Sequence, residues 1–372
     1  MTPLSHRQNL VPALDGQTSR FERAFRILES GIQAHAFPAA TVAVTYQGQL
    51  IALKAFGRFT FDAESAPAKA GTVFDLASVS KVVGTTTAAM LLWERGRLDL
   101  QMPVCDVIPE FQDKDRQRAL VNVRMLLAHS SGLPAYVRLF ENSSTPEELQ
   151  AAAVRIPLVH APGTIAEYSD IGFIVLGMVL ERLAGEPLDQ LLQRELFAPL
   201  VMSATGYNPS ESLRPEIPPT AHDQRFRYRV IQGEVQDENC FVLGGVAGHA
   251  GIFSNAADVA AFAHAVLTSS LPGLRAETIA LFTRREASPV GSSRTLGWDT
   301  PSAPSQSGRY LSPESFGHLG YTGTSLWIDP VRQLSITLLT NRTWPDFQNQ
   351  EIKKIRPAFH DAVVEALDQA SK

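Results

Sequence analysis

Apolar residues recur at helical spacing through Phe21, Ala24, Phe25, Leu28 and Ile32, which predicts an amphipathic helix near the start of the chain, with Thr18 or Ser19 placed to cap it. After Pro38 the pattern changes. The runs Thr41 to Tyr46 and Leu50 to Phe56 are rich in β-formers and are separated by Gln47-Gly48-Gln49, the signature of a hairpin. A second pair of such runs, Thr324 to Asp329 and Gln333 to Thr340, flanks Pro330, and Ile352 to Leu367 reads as a closing helix. Between the two ends, segments 79–95, 146–154, 171–184 and 187–195 carry helical patterns, while 205–240 is rich in Pro, Arg and polar residues and reads as a long connection. The expected fold is α+β: one antiparallel sheet assembled from both termini and flanked by helices, with a mainly helical region inserted. Residues 18–77 and 240–372 are expected to form the sheet region and 78–239 the helical one, with a cleft between them.

Composition narrows the function. At 372 residues, with 44% hydrophobic and 19% charged, the chain can bury the core of one large domain or two intimate ones. The formal charge of -5 and the absence of long single-sign runs give no footprint for nucleic acid or an anionic membrane. The opening M-T-P-L-S-H-R-Q-N-L-V-P lacks a sustained apolar stretch, and no segment reaches the length of a membrane span, so a cytoplasmic location is expected. Cys105 and Cys240 are far apart and form no C-x-x-C pair. The neighbours His222-Asp223 and Asp237-Glu238 lack the spacing of a metal motif, and neither metal nor cofactor is expected. Arg225, Arg227 and Arg229 read as solvated loop arginines, with substrate steering as the alternative.

Candidate chemistry begins at F-D-L-A-S-V-S-K-V-V-G-T-T-T-A-A-M-L-L, where a polar run enters an apolar helix. If Ser78 starts that helix, Lys81 lies on the same face one turn on, close enough to exchange a proton with the serine hydroxyl. An amine desolvated by Val82, Val83 and the run Ala88 to Trp93 would act as a base. The bland alternative is a helix-capping serine. A serine hydrolase also needs a proton carrier for the leaving group and an oxyanion hole. P-G-T-I-A-E-Y-S-D places Tyr168 and Asp170 in a polar turn before an apolar helix, where the phenol either reaches the cleft or is a half-buried structural tyrosine. F-G-H-L-G-Y-T-G-T-S-L-W brings His318 and glycines to a strand edge, and L-G-G-V-A-G-H-A-G places His249 in a second glycine-rich loop, either structural or lining the site.

Together these segments resemble the motif set of the serine β-lactamase and penicillin-binding protein superfamily, in its class C-like branch, which includes D,D-peptidases, D-aminopeptidases and family VIII carboxylesterases. Ser78-Val79-Ser80-Lys81 matches S-x-x-K, Tyr168-Ser169-Asp170 stands where Y-x-N is usual, and His318-Leu319-Gly320 where K-T-G or H-x-G is usual. L-L-A-H-S-S-G-L-P at 126–134 and the run 244–263 add to the likeness. The resemblance implies a β-lactamase/transpeptidase-like fold, Ser78 as acylated nucleophile, Lys81 as its base and Tyr168 as proton carrier. It further implies an oxyanion hole from the backbone N–H groups of Ser78 and Tyr321, with Asp170, His318, Gly320 and His249 toward the substrate. Asp170 cannot donate to a substrate amide carbonyl as asparagine does, and His318 replaces a carboxylate-binding lysine, so the expectation leans to a carboxylesterase on small esters. The alternatives are an amidase or peptidase on D-amino-acid or muropeptide substrates, and a non-catalytic binding or sensing module. The G-x-S-x-G elbow of α/β-hydrolases does not occur.

Overall fold

The hairpin predicted after Pro38 is present in the computed structural model, which describes residues 10–112 and 114–370. Strand Ala39–Tyr46 turns at Gln47-Gly48 into strand Gln49–Gly57, and both turn residues take positive φ, 49° and 82°, the two-residue geometry that follows strand twist. Ser325–Asp329 and Leu334–Thr340 form a second hairpin, and Leu334–Thr340 runs antiparallel to Ala39–Tyr46 with Ile336 opposite Val44. The two ends of the chain therefore meet in the middle of one sheet. Its six strands lie in the order Val11–Pro12, Gln49–Gly57, Ala39–Tyr46, Leu334–Thr340, Ser325–Asp329, Phe316–Leu319. All neighbours are antiparallel except the first pair, whose parallel two-residue edge makes the sheet mixed rather than purely antiparallel.

Alternation along the strands sorts side chains to two cores. Val42, Val44, Ile51, Ile336 and Leu338 pack with Phe25 and Leu28 of helix Glu22–Gln33 and with Phe359 and Val363 of helix Ile352–Ala370. Ala43, Leu326, Ile328 and Leu339 join the larger core, which includes Val259, Phe262 and Ala263 of helix Ala256–Leu267. Each buried Leu, Ile, Val or Phe contributes about 1.5–3 kcal/mol, so covering both faces makes the sheet a rigid platform. Helix Ala256–Leu267 was not expected. Its sequence, A-A-D-V-A-A-F-A-H-A-V-L, is apolar on nearly every side and has no amphipathic period, but Asn255 caps it by accepting from the Asp258 N–H at 2.8 Å.

The inserted helices largely match their patterns, as Pro146–Ala153, Asp170–Ala184 and Leu188–Leu192, the last continuing as a π-helical turn over Gln193–Phe197. The segment expected as one helix over 79–95 is composite: a 3₁₀ turn at Ala77–Val79, a π-helical stretch over Lys81–Thr86, then α-helix Thr87–Glu94. The connection 205–240 carries a small hairpin, Ala221–Asp223 with Arg229–Ile231, and leads into helix Glu238–Val242. Within it Arg227 is buried rather than solvated, donating to the Val235 carbonyl at 2.7 Å and the Gln236 carbonyl at 2.5 Å. Among the described residues no helix is long and apolar enough to cross a membrane.

Candidate active site

The turn that carries Ser78 is held in an unusual backbone shape. Ala77 takes φ 46°, a left-handed conformation that costs a non-glycine residue about 1–2 kcal/mol. Its N–H donates to Asp75 Oδ1 at 2.8 Å, and Asp75 Oδ2 accepts from the Gln236 N–H at 2.8 Å. Burial pushes the Asp75 carboxyl up to about 6. Two threonines stitch the far strand pair to the same turn: Thr322 donates to the Asp75 carbonyl and Thr324 to the Leu76 carbonyl, each at 2.8 Å. This pairing sets Tyr321 beside the nucleophile turn. Among the described residues neither the Ser78 nor the Tyr321 backbone N–H donates to a protein acceptor, so both donors are open.

Ser78 and Lys81 meet as their spacing predicts, and Tyr168 and Asp170, singled out by the resemblance, join them. Lys81 Nζ lies 3.0 Å from Ser78 Oγ, 2.6 Å from Asp170 Oδ1 and 2.8 Å from the His249 carbonyl. The Tyr168 hydroxyl lies 2.7 Å from Ser78 Oγ and 3.0 Å from Asp170 Oδ1. Asp170 Oδ1 thus touches both the amine and the phenol. Lys81 is wholly buried. Desolvation lowers its pKa from the usual lysine range, and the Asp170 carboxylate pulls it back upward. Burial, reinforced by Asp170, holds the Tyr168 phenol well above its ordinary value, so it stays protonated.

The remaining predicted residues divide. His249 reaches the site through its backbone carbonyl; its ring turns away, with Nε2 2.7 Å from Asp237 Oδ1, and that side chain also caps Cys240. Gly320 is a spacer, since a Cβ there would lie 2.5 Å from the Leu76 carbonyl oxygen. His318 is buried, with Nδ1 2.8 Å from the Leu319 carbonyl, so Nδ1 carries the proton and Nε2 offers a lone pair; among the described residues that Nε2 has no partner. Burial, then the Lys81 and Arg294 cations, hold the ring well below the usual histidine range. It is a neutral acceptor, not a cation.

Two residues at the site were not singled out from sequence. His129, in the L-L-A-H-S-S-G-L-P run, stacks between Tyr168 and Phe173 at 4.9 Å from each, and its Nδ1 accepts from the Ser169 N–H at 3.0 Å. The proton this leaves on Nε2 has no partner among the described residues. Arg294 places its guanidinium 5.6 Å from the Tyr168 ring centre. The H-S-S-G signature pointed to the first; the loop around Arg294 has no periodicity that could have. Among the described residues no three His, Cys, Asp or Glu side chains group as a metal site. A groove of about 410 Å³ lined by Ile27, Gly31 and Ile355 lies between the two helices on the opposite face of the sheet and holds none of these groups.

The arrangement is chemically that of a serine acyl-transfer centre: a hydroxyl with a buried amine and a phenol on the same oxygen, beside two open backbone donors. Comparison with known proteins agrees with it. The Beta-lactamase family model matches residues 24–357. The chain is 33% identical to an N-acetylmuramyl-L-alanine amidase of Bacillus subtilis (strain 168), over 87% of this chain and 81% of that protein. It is 30% identical to a protein of Escherichia coli (strain K12) named "Putative D-alanyl-D-alanine carboxypeptidase", over 82% of this chain and 79% of that protein. Among solved structures, EstCE1, a hydrolase with promiscuous acyltransferase activity, superposes with a TM-score of 0.77 at 23% identity, covering 93% of this chain and 99% of its own.

Proposed function

This chain belongs to the Beta-lactamase family, and from that premise we propose that it is a serine hydrolase working through an acyl-enzyme on Ser78, its substrate an amide or peptide bond in D-amino-acid-containing, muropeptide-like material. The observation that carries the reaction type is the pair of contacts on Ser78 Oγ, Lys81 Nζ at 3.0 Å and the Tyr168 hydroxyl at 2.7 Å. Neutral Lys81 takes the serine proton as Oγ attacks the substrate carbonyl carbon, and the carbonyl π pair moves onto oxygen beside the N–H groups of Ser78 and Tyr321. When the tetrahedral species collapses, the bond to the leaving group breaks and Tyr168 gives its proton to the departing atom. Asp170 Oδ1, in contact with both groups, passes the proton held by Lys81 back to Tyr168. Water then enters, and the same groups run in reverse to release the acyl portion.

The choice of bond rests on the two relatives, one named an N-acetylmuramyl-L-alanine amidase and the other a "Putative D-alanyl-D-alanine carboxypeptidase", both matched over more than four-fifths of this chain. This moves the weight away from the ester expected from sequence. The ester reading keeps one observation in its favour: Asp170, bonded to Lys81, has no N–H to offer a substrate amide carbonyl. The test compares kcat/KM for D-alanine release from an N-acyl-D-alanyl-D-alanine peptide with that for p-nitrophenyl butyrate. Turnover of the peptide supports the amidase reading. Turnover of the ester alone assigns a carboxylesterase, and turnover of neither, with no labelling of Ser78, leaves a binding module.

A further inference from the structure

Two arginines outside the catalytic group are buried without a counter-charge. Arg342, just after strand Leu334–Thr340, is 8% exposed, and Arg356, in helix Ile352–Ala370, is 4% exposed. All three carboxylates of that helix are engaged elsewhere, Asp361 with Arg309, Glu365 with Arg23 and Asp368 with Arg332. Arg342 donates from Nε to the Tyr321 carbonyl at 2.7 Å and from Nη1 to the Phe347 carbonyl at 3.3 Å. Arg356 donates only from Nη1, to Gln306 Oε1 at 3.3 Å, and its buried Nε has no partner among the described residues. Arg118 shows how this fold satisfies a buried guanidinium, with the Phe111, Val154 and Ile156 carbonyls all accepting from it. Arg356 has no such set. Among the described residues the Nη2 group of neither Arg342 nor Arg356 donates to a protein acceptor.

The two side chains stand at one end of the sheet. The chain leaves the strand at Thr340 and enters the helix at Ile352, so the first helical turns cover that end. The Arg342 N–H bonds the Thr322 carbonyl at 2.9 Å. His360, one turn after Arg356 on the same helix face, has its Nε2 3.4 Å from Ser325 Oγ, three residues along from Thr322. Burial, then repulsion from Arg342, pushes the Arg356 guanidinium down to about 9, the reverse of what a carboxylate partner would do. A buried charge that nothing offsets is strongly destabilising. Only an anion offsets two cations, and open Nη2 groups supply its hydrogen bonds. Close packing limits its size, since a Cβ at Gly323 would lie 2.6 Å from Arg342 Cγ.

We propose that Arg342 and Arg356 form a binding site for a small inorganic anion of the size of chloride, behind the segment whose Tyr321 N–H faces the oxyanion. The test follows thermal unfolding of the full chain as sodium chloride replaces sodium gluconate at constant ionic strength, which keeps charge screening fixed. Wild-type Tm should rise along a saturable curve, by about 2 °C or more at a hundredfold excess of chloride over its Kd. In Arg356→Gln the rise should vanish. In gluconate alone that variant should unfold no earlier than wild type, because the substitution removes a buried charge that nothing there offsets. Sodium bromide should reproduce the chloride curve, and anomalous scattering from bromide-soaked crystals should place the ion between the two guanidinium groups. A wild-type Tm that is the same in chloride and gluconate overturns the proposal, whether or not the variant folds. So does a chloride response that persists in Arg356→Gln, which puts the ion elsewhere.

Discussion

At the scale of single residues, Asp170 decides how the site differs from one with asparagine at that position. A protonated Lys81 satisfies all its contacts at once, donating to Asp170, to the His249 carbonyl and to Ser78 Oγ, with Tyr168 donating to Asp170. The proposed reaction requires the neutral amine, which the Asp170 charge opposes and burial favours. Because Asp170 raises the Lys81 pKa against the effect of burial, removing its charge lowers that pKa further. Asp170→Asn should therefore shift the acidic limb of the kcat/KM profile to lower pH, by about one unit or more. A limb that stays in place would assign that ionisation to another group. The Ser78–Lys81 pair was legible in sequence because i, i+3 spacing fixes local geometry, whereas Tyr168 and Asp170 were singled out by the family resemblance of the Y-x-D turn. Arg294 was not, because its position depends on a bridge to Asp299 made only in the folded chain.

At the scale of elements, the site depends on how closely the segment after strand Phe316–Leu319 approaches the nucleophile turn. Gly320 makes that approach possible, for a Cβ there would lie 1.9 Å from Thr324 Oγ1, the atom that bonds the Leu76 carbonyl. Gly320→Ala should cost about 1–3 kcal/mol in urea unfolding, the range for overpacking. It should also lower kcat/KM by about tenfold or more, because an oxyanion donor displaced from its place loses most of its effect. A variant with wild-type stability and rate would show that Tyr321 does not depend on this contact. The hairpins and most helices were readable from their periods; helix Ala256–Leu267 was hidden because its burial on all sides erases the period. The 3₁₀ and π turns around Ser78 were hidden too, since they answer to contacts from Ile252 and Thr324 rather than to local propensity.

At the scale of the whole molecule, the meeting of the chain ends in one sheet was visible because both carry paired β-rich runs. What the runs did not reveal is how many histidines the closed molecule keeps neutral. His129, His318 and His360 are all buried, and burial lowers the pKa of each, that of His360 to about 3. Unfolded, each would bind a proton near pH 6.5. Below that pH the unfolded state binds more protons, so stability falls as pH drops, by up to about 1.4 kcal/mol per pH unit for each such histidine. For His360 the loss extends down to about pH 3, where the folded ring itself titrates. Urea unfolding between pH 7 and 4 should show this decline, with a shallower slope in His360→Gln; an unchanged slope would exclude His360 as a contributor.

The proposed function turns on one covalent event, the transfer of an acyl group to Ser78. It is tested most directly by acid-quenching the enzyme during turnover of p-nitrophenyl butyrate or the D-alanyl peptide and mapping the adduct by peptide mass spectrometry, with Ser78→Ala alongside. The account predicts an acyl group on Ser78, none on the variant, and a rate reduced on the order of 10³-fold or more in Ser78→Ala. An adduct on another residue, or hydrolysis that survives Ser78→Ala undiminished, would contradict it.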